Sequence, residues 1–451
     1  MSFQRGQIIQ AAISDLSHDG RGVAHVDDFA VFVAGALPGE EVQFQITEVK
    51  KSYARGALKK IVSASPARTT PVCDLYPRCG GCQLQHLDYS QQLAAKEKYV
   101  SQTIKRIGKI QPPVLPIIGL ENPWQYRNKA LFPFARKDGT LLLGCFEMGT
   151  HNVVNLAHCP IQHQAHLAVL AKIRELVAAY GLSIYDERTG CGLLRHLLIR
   201  TGFKTGETLL GLVTTSECFP DSQKFAAELA GGIDENIVGV VRNINDRREN
   251  VILGSESRLL WGKPVLYEEI LGLRFAISAT SFFQVNPAGM EKLYGKVLEA
   301  AGNFSVAVDA YCGIGSIALL LAKAGKKVYG IETVSSAISD AKENARLNGI
   351  ANAVFLEGKV EEALPRLLGT GLKPDLVVLD PPRKGCEGNV LSAIVEAQIS
   401  KLVYVSCNPS TLARDLAALS PFYETKWVQP VDMFPQTYHV ECVVLMSRVK
   451  K

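Results

Sequence analysis

A chain of 451 residues sets a soft expectation of about three domains, and 47% apolar residues are ample for several cores. A net charge of +5, from 49 basic and 44 acidic residues, permits an anionic partner without demanding one, so local clusters must decide. No apolar run approaches the roughly 18 residues of a membrane span, and M-S-F-Q-R-G lacks the apolar stretch of a secretion signal, which predicts a soluble cytoplasmic protein with no membrane partner.

Residues 1–63 alternate apolar and polar side chains in short runs (7–13, 29–33 and 42–49) broken by D-G-R-G, G-A-L-P-G-E and K-K-S-Y-A-R-G, the pattern of a small all-β barrel. Lys50, Lys51, Arg55, Lys59 and Lys60 cluster there with Tyr53 among them, which reads either as an RNA-binding surface with a stacking ring or as a solvated basic face. The Gly20-x-Gly22 and Leu37-Pro38-Gly39-Glu40 turns resemble the TRAM module, an OB-like RNA-binding barrel.

At Cys73 the pattern changes to C-D-L-Y-P-R-C-G-G-C, three cysteines (Cys73, Cys79, Cys82) with a glycine pair between the last two. Eleven cysteines in a cytosolic chain argue for metal-binding or catalytic thiols rather than disulfides. Gly80 and Gly81 would let the backbone wrap closely and turn N–H groups toward sulfur, and Cys159, followed by Pro160, is the candidate fourth ligand. Spacing alone leaves an iron–sulfur cluster and a four-cysteine zinc site equal.

Residues 89–107 have helical spacing and a basic end, predicting one long helix. From 122 to 263 the signal is mixed, with strands at 129–135, 141–146, 194–201 and 209–214 and helices at 164–180 and 222–233: an α+β region. Tyr126-Arg127-Asn128-Lys129, Arg195-His196 and Arg242-Asn243-Ile244-Asn245 offer donors for phosphates or base edges, or belong to solvated loops.

A third unit opens near residue 271. A buried strand at 306–310, the loop Cys312-Gly313-Ile314-Gly315, a helix at 316–324 and a strand ending at Glu332 form a βαβ unit for a dinucleotide or adenosylmethionine. The strand at 376–380 delivers Asp380-Pro381-Pro382-Arg383, whose prolines lack N–H donors and leave Asp380 free to accept hydrogen bonds. An arginine where an amine methyltransferase of the D-P-P-Y type has an aromatic ring disfavours amine methylation.

In V-Y-V-S-C-N-P-S-T-L-A-R-D (403–415) a short strand precedes Cys407, Asn408-Pro409 reads as a turn, and Ser410 or Thr411 as the cap of a helix running to Leu419. A thiol near a helix N-terminus is expected to ionise more easily, whereas a lone cysteine is more often structural. Glu441, in the apolar run V-E-C-V-V-L-M, is expected to be buried with a raised pKa, as suits a general base.

These stretches, with S-F-F-Q-V-N-P (281–287) and D-A-Y-C-G-I-G-S (309–316), resemble the RNA uracil-5-methyltransferase family, in particular its bacterial 23S rRNA branch. The resemblance implies three parts: an OB-like TRAM barrel at 1–63, a central α+β domain with a 4Fe-4S cluster at 64–270, and a Rossmann-like α/β methyltransferase domain at 271–451. It also implies that the segment near 90–120 packs on the catalytic part, that Cys73, Cys79, Cys82 and Cys159 hold the cluster, and that Gln284, Tyr311, Glu332 and Asp380 hold S-adenosylmethionine. Cys407 would be the nucleophile and Glu441 the base in C5 methylation of a single-stranded or flipped-out uridine of 23S rRNA. Some relatives carry Asn where this chain has Ser316. No obligate protein partner is evident, and a tRNA uracil-5-methyltransferase or a non-catalytic iron–sulfur RNA-binding protein are the competing readings.

Overall fold

A computed structural model describes residues 3–449. Strands β1 (Ile8–Leu16), β2 (Gly22–Val26), β3 (Phe29–Ala34), β4 (Glu41–Val49) and β5 (Tyr53–Ser63) close into a barrel in the order β1-β2-β3-β5-β4. Ile13, Val31, Val33, Val42, Phe44 and Ile46 fill it, and Gly56 is glycine because a Cβ there would stand 2.7 Å from the Phe44 ring. Strand β5 runs through the basic stretch, so Lys59 and Lys60 lie on a strand. Glu48 pairs with Lys50 at 2.6 Å and Arg55 at 3.0 Å, leaving Lys51, Lys59 and Lys60 without an ion-pair partner among the described residues. Arg68 anchors the barrel from outside through the buried Glu40, Nη2 to Oε2 at 2.8 Å.

Helix α1 (Tyr89–Thr103), capped by the Asp88 carboxylate, continues into a π-helical turn at Ile104–Gly108. Val100 and Ile104 pack with Leu412, Leu416 and Val428 of the C-terminal part, and Lys96 makes a buried 2.6 Å ion pair with Asp432.

The middle of the chain forms β6 (Lys129–Lys137), β7 (Thr140–Phe146), β8 (Val153–Asn155), α2 (Ala165–Ala179), β9 (Leu194–Thr201), β10 (Thr208–Thr214), α3 (Ser222–Gly231), β11 (Ile237–Ile244) and β12 (Glu256–Gly262). Its seven strands run β12-β11-β10-β9-β6-β7-β8. One face is covered by α2 and α3, with Leu197, Ile199 and Phe132 among the contacts. Leu198 and Leu209, on the other face, join the core of the C-terminal part.

A hairpin of β13 (Val265–Ile270) and β14 (Leu273–Ser278) leads into α4 (Pro287–Ala301), β15 (Val306–Ala310), α5 (Ser316–Lys323), β16 (Lys327–Glu332), α6 (Ser335–Leu347) and β17 (Ala353–Glu357). Then come α7 (Val360–Gly369), β18 (Leu376–Leu379), α8 (Gly388–Glu396), β19 (Lys401–Ser406), α9 (Pro409–Leu419), β20 (Tyr423–Val431) and β21 (Glu441–Arg448). The sheet order is β17-β16-β15-β18-β19-β21-β20, parallel from β17 to β19 with β21 antiparallel. That is a doubly wound sheet whose switch point, where the chain order reverses between β15 and β18, opens a crevice at the strands' carboxyl ends. No helix among the described residues is long and apolar enough to cross a membrane.

Candidate active site

The crevice is a cavity of about 1570 Å³, and Gln284, Tyr311, Glu332, Asp380, Cys407 and Glu441 all line it. The glycine loop shapes one side. Gly313 and Gly315 take positive φ angles, Tyr311 does so too at 70°, and the Gly313 N–H donates to Glu332 Oε2 at 3.1 Å. The other Glu332 oxygen accepts from the N–H groups of Thr333 and Val334, so this carboxylate sits fixed at the end of β16. A Cβ on Gly330 would stand 2.8 Å from the Phe355 ring, which seals the floor under the loop.

Strand register brings Cys407 and Glu441 together. Ser406 of β19 pairs with Cys442 of β21, so the next position along sets Cys407 opposite Glu441. The Cys407 turn is locked to the D-P-P-R loop, because the Arg383 carbonyl accepts from Asn408 Nδ2 (3.1 Å) and Thr411 Oγ1 (3.2 Å). The cap of α9 is Asn408, accepting from the Ser410 N–H, with Pro409 in the first helical turn; this corrects the expectation of Ser410 or Thr411. Pro409 has no N–H to offer and suits the first helical position, so the cap falls on Asn408, whose amide oxygen accepts the N–H two residues ahead.

Three carboxyls meet in the cavity. Burial, then the Asp380 charge, hold Glu441 well above the usual carboxylate range. Burial alone pushes Asp380 up to about 7. Asp309, fully buried at the end of β15 with neither oxygen hydrogen-bonded, is raised by burial and by Asp380. The Cys407 thiol is not acidified as expected. Burial, Glu441 and Asp380 push it up to about 11, outweighing the lowering by Arg383. Two facing carboxyls in a desolvated pocket exceed half a unit charge of helix dipole.

Cys73, Cys79, Cys82 and Cys159 line a second, smaller cavity of about 130 Å³ beside the first. Among the described residues no group of three or more His, Cys, Asp or Glu is arranged to hold a single metal ion. The Gly81 N–H points at Cys79 Sγ (3.4 Å), as the glycine pair predicted, whereas the Gly80 N–H is spent on the Phe146 carbonyl (2.9 Å). Cys145 of β7 was not foreseen: its thiol hydrogen-bonds Cys79 in the same cavity.

In the Arg195-His196 and Arg242–Asn245 stretches the arginines and asparagines spend hydrogen bonds inside the protein and are not in solvated loops. Arg195 Nη1 donates to the carbonyls of Asn245 and Arg247, Arg242 donates to Thr214 Oγ1 and the Thr215 and Glu217 carbonyls, and the Asn243 and Asn245 amides hold the 251–257 backbone.

Comparison with known proteins decides what this crevice belongs to. Residues 269–449 match the tRNA (Uracil-5-)-methyltransferase family model and residues 2–59 the TRAM domain model. An uncharacterized RNA methyltransferase of Bacillus cereus is 46% identical over 99% of this chain and 98% of its own length. Another, from Listeria innocua, is 43% identical over 99% of this chain and 98% of its own. The chain belongs to the RNA uracil-5-methyltransferase family. A crystal structure of the Pyrococcus abyssi tRNA (uracil-54, C5)-methyltransferase with S-adenosyl-L-homocysteine is 27% identical and aligns over 97% of this chain and 100% of its own, with a TM-score of 0.79. The protein is thus an S-adenosylmethionine-dependent RNA methyltransferase with a TRAM barrel and a methyltransferase fold. Within this family's cavity, Tyr294, Asp309, Arg383 and His439 line the walls without having been singled out as site residues. Asp309, opening D-A-Y-C-G-I-G, and Arg383, closing D-P-P-R, carried a local signal; Tyr294 and His439 reach the site through tertiary packing.

Proposed function

We propose that the enzyme methylates C5 of a uridine in 23S rRNA, giving 5-methyluridine, through a covalent bond between Cys407 Sγ and C6 of the base. The observation that carries this reading is the register of β19 and β21, which faces Cys407 with Glu441 in the cavity that holds the glycine loop. C5 of uracil is a weak nucleophile; addition of the Cys407 thiolate at C6 converts the ring to an enolate with its charge at C5 and O4. S-adenosylmethionine, cradled by Gln284, Tyr311, Glu332 and Asp380, supplies the methyl group from its sulfonium to that carbon. Glu441, as carboxylate, then takes the C5 proton, the C6–S bond breaks, and Cys407 leaves as thiolate while the C5–C6 double bond returns. Eight acidic residues line the cavity against four basic ones, and Asp309, Glu332, Asp380 and Glu441 among them suit a cationic ligand, whose arrival offsets their mutual repulsion. Phe282, 70% exposed at the cavity rim, offers a face on which a nucleotide beside the target can stack.

Cys73, Cys79, Cys82 and Cys159 are proposed to hold a 4Fe-4S cluster. Their thiols surround one cavity, and the charges of Cys159, Cys79 and Cys73 act on Cys82. Anaerobically purified protein should be brown and contain iron and sulfide. Stoichiometric zinc without visible absorption would reject the cluster.

A tRNA substrate is the second reading, favoured by the likeness to the Pyrococcus abyssi tRNA (uracil-54, C5)-methyltransferase, which aligns with nearly the whole of this chain. Mapping 5-methyluridine in both RNAs from cells lacking the protein separates the two: loss of a 23S rRNA site supports the first, loss from tRNA alone the second.

A further inference from the structure

Arg127 lines both cavities, the catalytic one and the cysteine one. It sits in a four-residue strap whose hydrogen bonds, taken together, run to both. The Gln125 N–H donates to the Pro160 carbonyl and the Arg127 N–H to Ile161, beside Cys159. The Tyr126 hydroxyl donates to the Pro435 carbonyl (3.0 Å), in the loop that leads to Glu441. Asn128 donates from its N–H to the Val285 carbonyl and from its side chain to the Gln284 carbonyl, at the cofactor wall. The cysteine loop closes the same wall, since Gly80, Gly81 and Gln83 also face the catalytic cavity and the Gln83 and Leu84 N–H groups both donate to the Gln436 carbonyl.

The charge on this wall is unbalanced. Lys129 pairs across the sheet with Arg200, on the face that carries Leu198 and Leu209 toward the catalytic part. Arg200 is 1% exposed; its Nη2 donates to the Ser281 carbonyl, while its Nε and Nη1 have no partner. Arg127 Nε is likewise buried and unpartnered. None of the three cations makes an ion pair among the described residues, and burial with the Arg200 and Arg127 charges pulls Lys129 down to about 7. Arg200 is buried and Arg127 and Lys129 are half-buried, and three neighbouring cations with no carboxylate partner, Arg127 facing the cysteine thiols on one side, mark a place for an anion on the other. Of the three, Arg127 alone reaches the cavity.

We infer that Arg127 is a substrate-positioning residue whose guanidinium grips a phosphate oxygen of the RNA next to the target nucleotide, held in place by the wall it shares with the cysteine cavity. This rests on the proposed reaction at Cys407. The chemistry favours phosphate over a base edge because the unpaired charge is what the wall has in excess.

The test uses the full-length protein and whichever of the 23S rRNA and tRNA transcripts it methylates. Arg127→Met should raise KM for RNA about tenfold or more and reduce the slope of log affinity against log salt by about one, as expected for one lost phosphate contact. kcat and the calorimetric affinity for S-adenosylmethionine should stay within about twofold. Arg127→Lys should keep the slope and recover part of the affinity, because it retains charge but not the fork. A raised KM with an unchanged slope would assign the residue to a neutral base edge and overturn the proposal; so would an unchanged KM. Should Arg127→Met fail to bind S-adenosylmethionine, Arg127→Gln against Arg127→Lys makes the same comparison. If the unaltered enzyme forms no adduct with 5-fluorouridine RNA, the reaction itself is misassigned; an adduct there with no effect at Arg127 overturns this inference alone.

Discussion

At Cys407 the resting thiol is protonated, held at about 11 by burial and by the Glu441 and Asp380 carboxyls, with Arg383 and a backbone hydrogen bond pulling it down. As the proposed nucleophile, Cys407 would need cationic or donor groups of the ligands in the cavity in order to ionise. Arg383→Met should move the pH midpoint for alkylation of Cys407 upward and slow alkylation at pH 8 several-fold, read by mass spectrometry of the Cys407 peptide. Asp380 gives a second prediction. Its folded pKa, about 7, lies above the roughly 3.9 of an unfolded aspartate, so the folded chain binds the extra proton. Its contribution is present below about pH 4 and lost as pH rises through 7. Thermal melts of ligand-free enzyme should fall between pH 5 and pH 8, and Asp380→Asn should flatten that fall while weakening S-adenosylmethionine binding.

Among the elements, α1 matters most for where Glu441 sits. Its Lys96 reaches Asp432, both side chains 2% exposed or less, and its Gln92 exchanges two hydrogen bonds with Gln436 across the loop that leads into β21. Breaking a buried pair leaves an uncompensated charge, so Lys96→Met should destabilise the protein by about 3–5 kcal/mol in denaturant melts, with Lys96→Met/Asp432→Leu recovering much of it. The helix itself was legible from its 3.6-residue period, but its π-helical end was not, nor the strands β2 and β5, whose glycines and lysines read as turns. Those glycines serve packing: Gly22 has the Ala36 carbonyl 2.7 Å from where its Cβ would be. Arg195 and Arg242 looked like nucleic-acid donors because sequence shows a charge and not what its hydrogen bonds are spent on.

Across the whole molecule, local patterns marked the barrel, the cysteine array, the glycine loop, Cys407 and Glu441, whereas Gln284, Tyr311, Glu332 and Asp380 came as cofactor residues from the family resemblance, and Cys145, Tyr294 and His439 from neither. What spacing could not carry is that the cavities share a wall. That depends on pairs such as Gln92 with Gln436, 344 positions apart. The barrel adds the remaining contact surface. With Lys50 and Arg55 engaged by Glu48, the free cations are Lys51, Lys59 and Lys60 among the described residues. Replacing these three with Ala should weaken RNA binding and lower the salt slope by up to about 2, while methyl transfer at saturating RNA survives. The central claim is the division of labour between Cys407 and Glu441, and a denaturing gel with labelled RNA and S-adenosylmethionine tests it. Cys407→Ala should show no protein–RNA band, and Glu441→Gln should accumulate a methylated covalent adduct, since the C5 proton then has no base to take it. An adduct with Cys407→Ala, or normal turnover with Glu441→Gln, would contradict it.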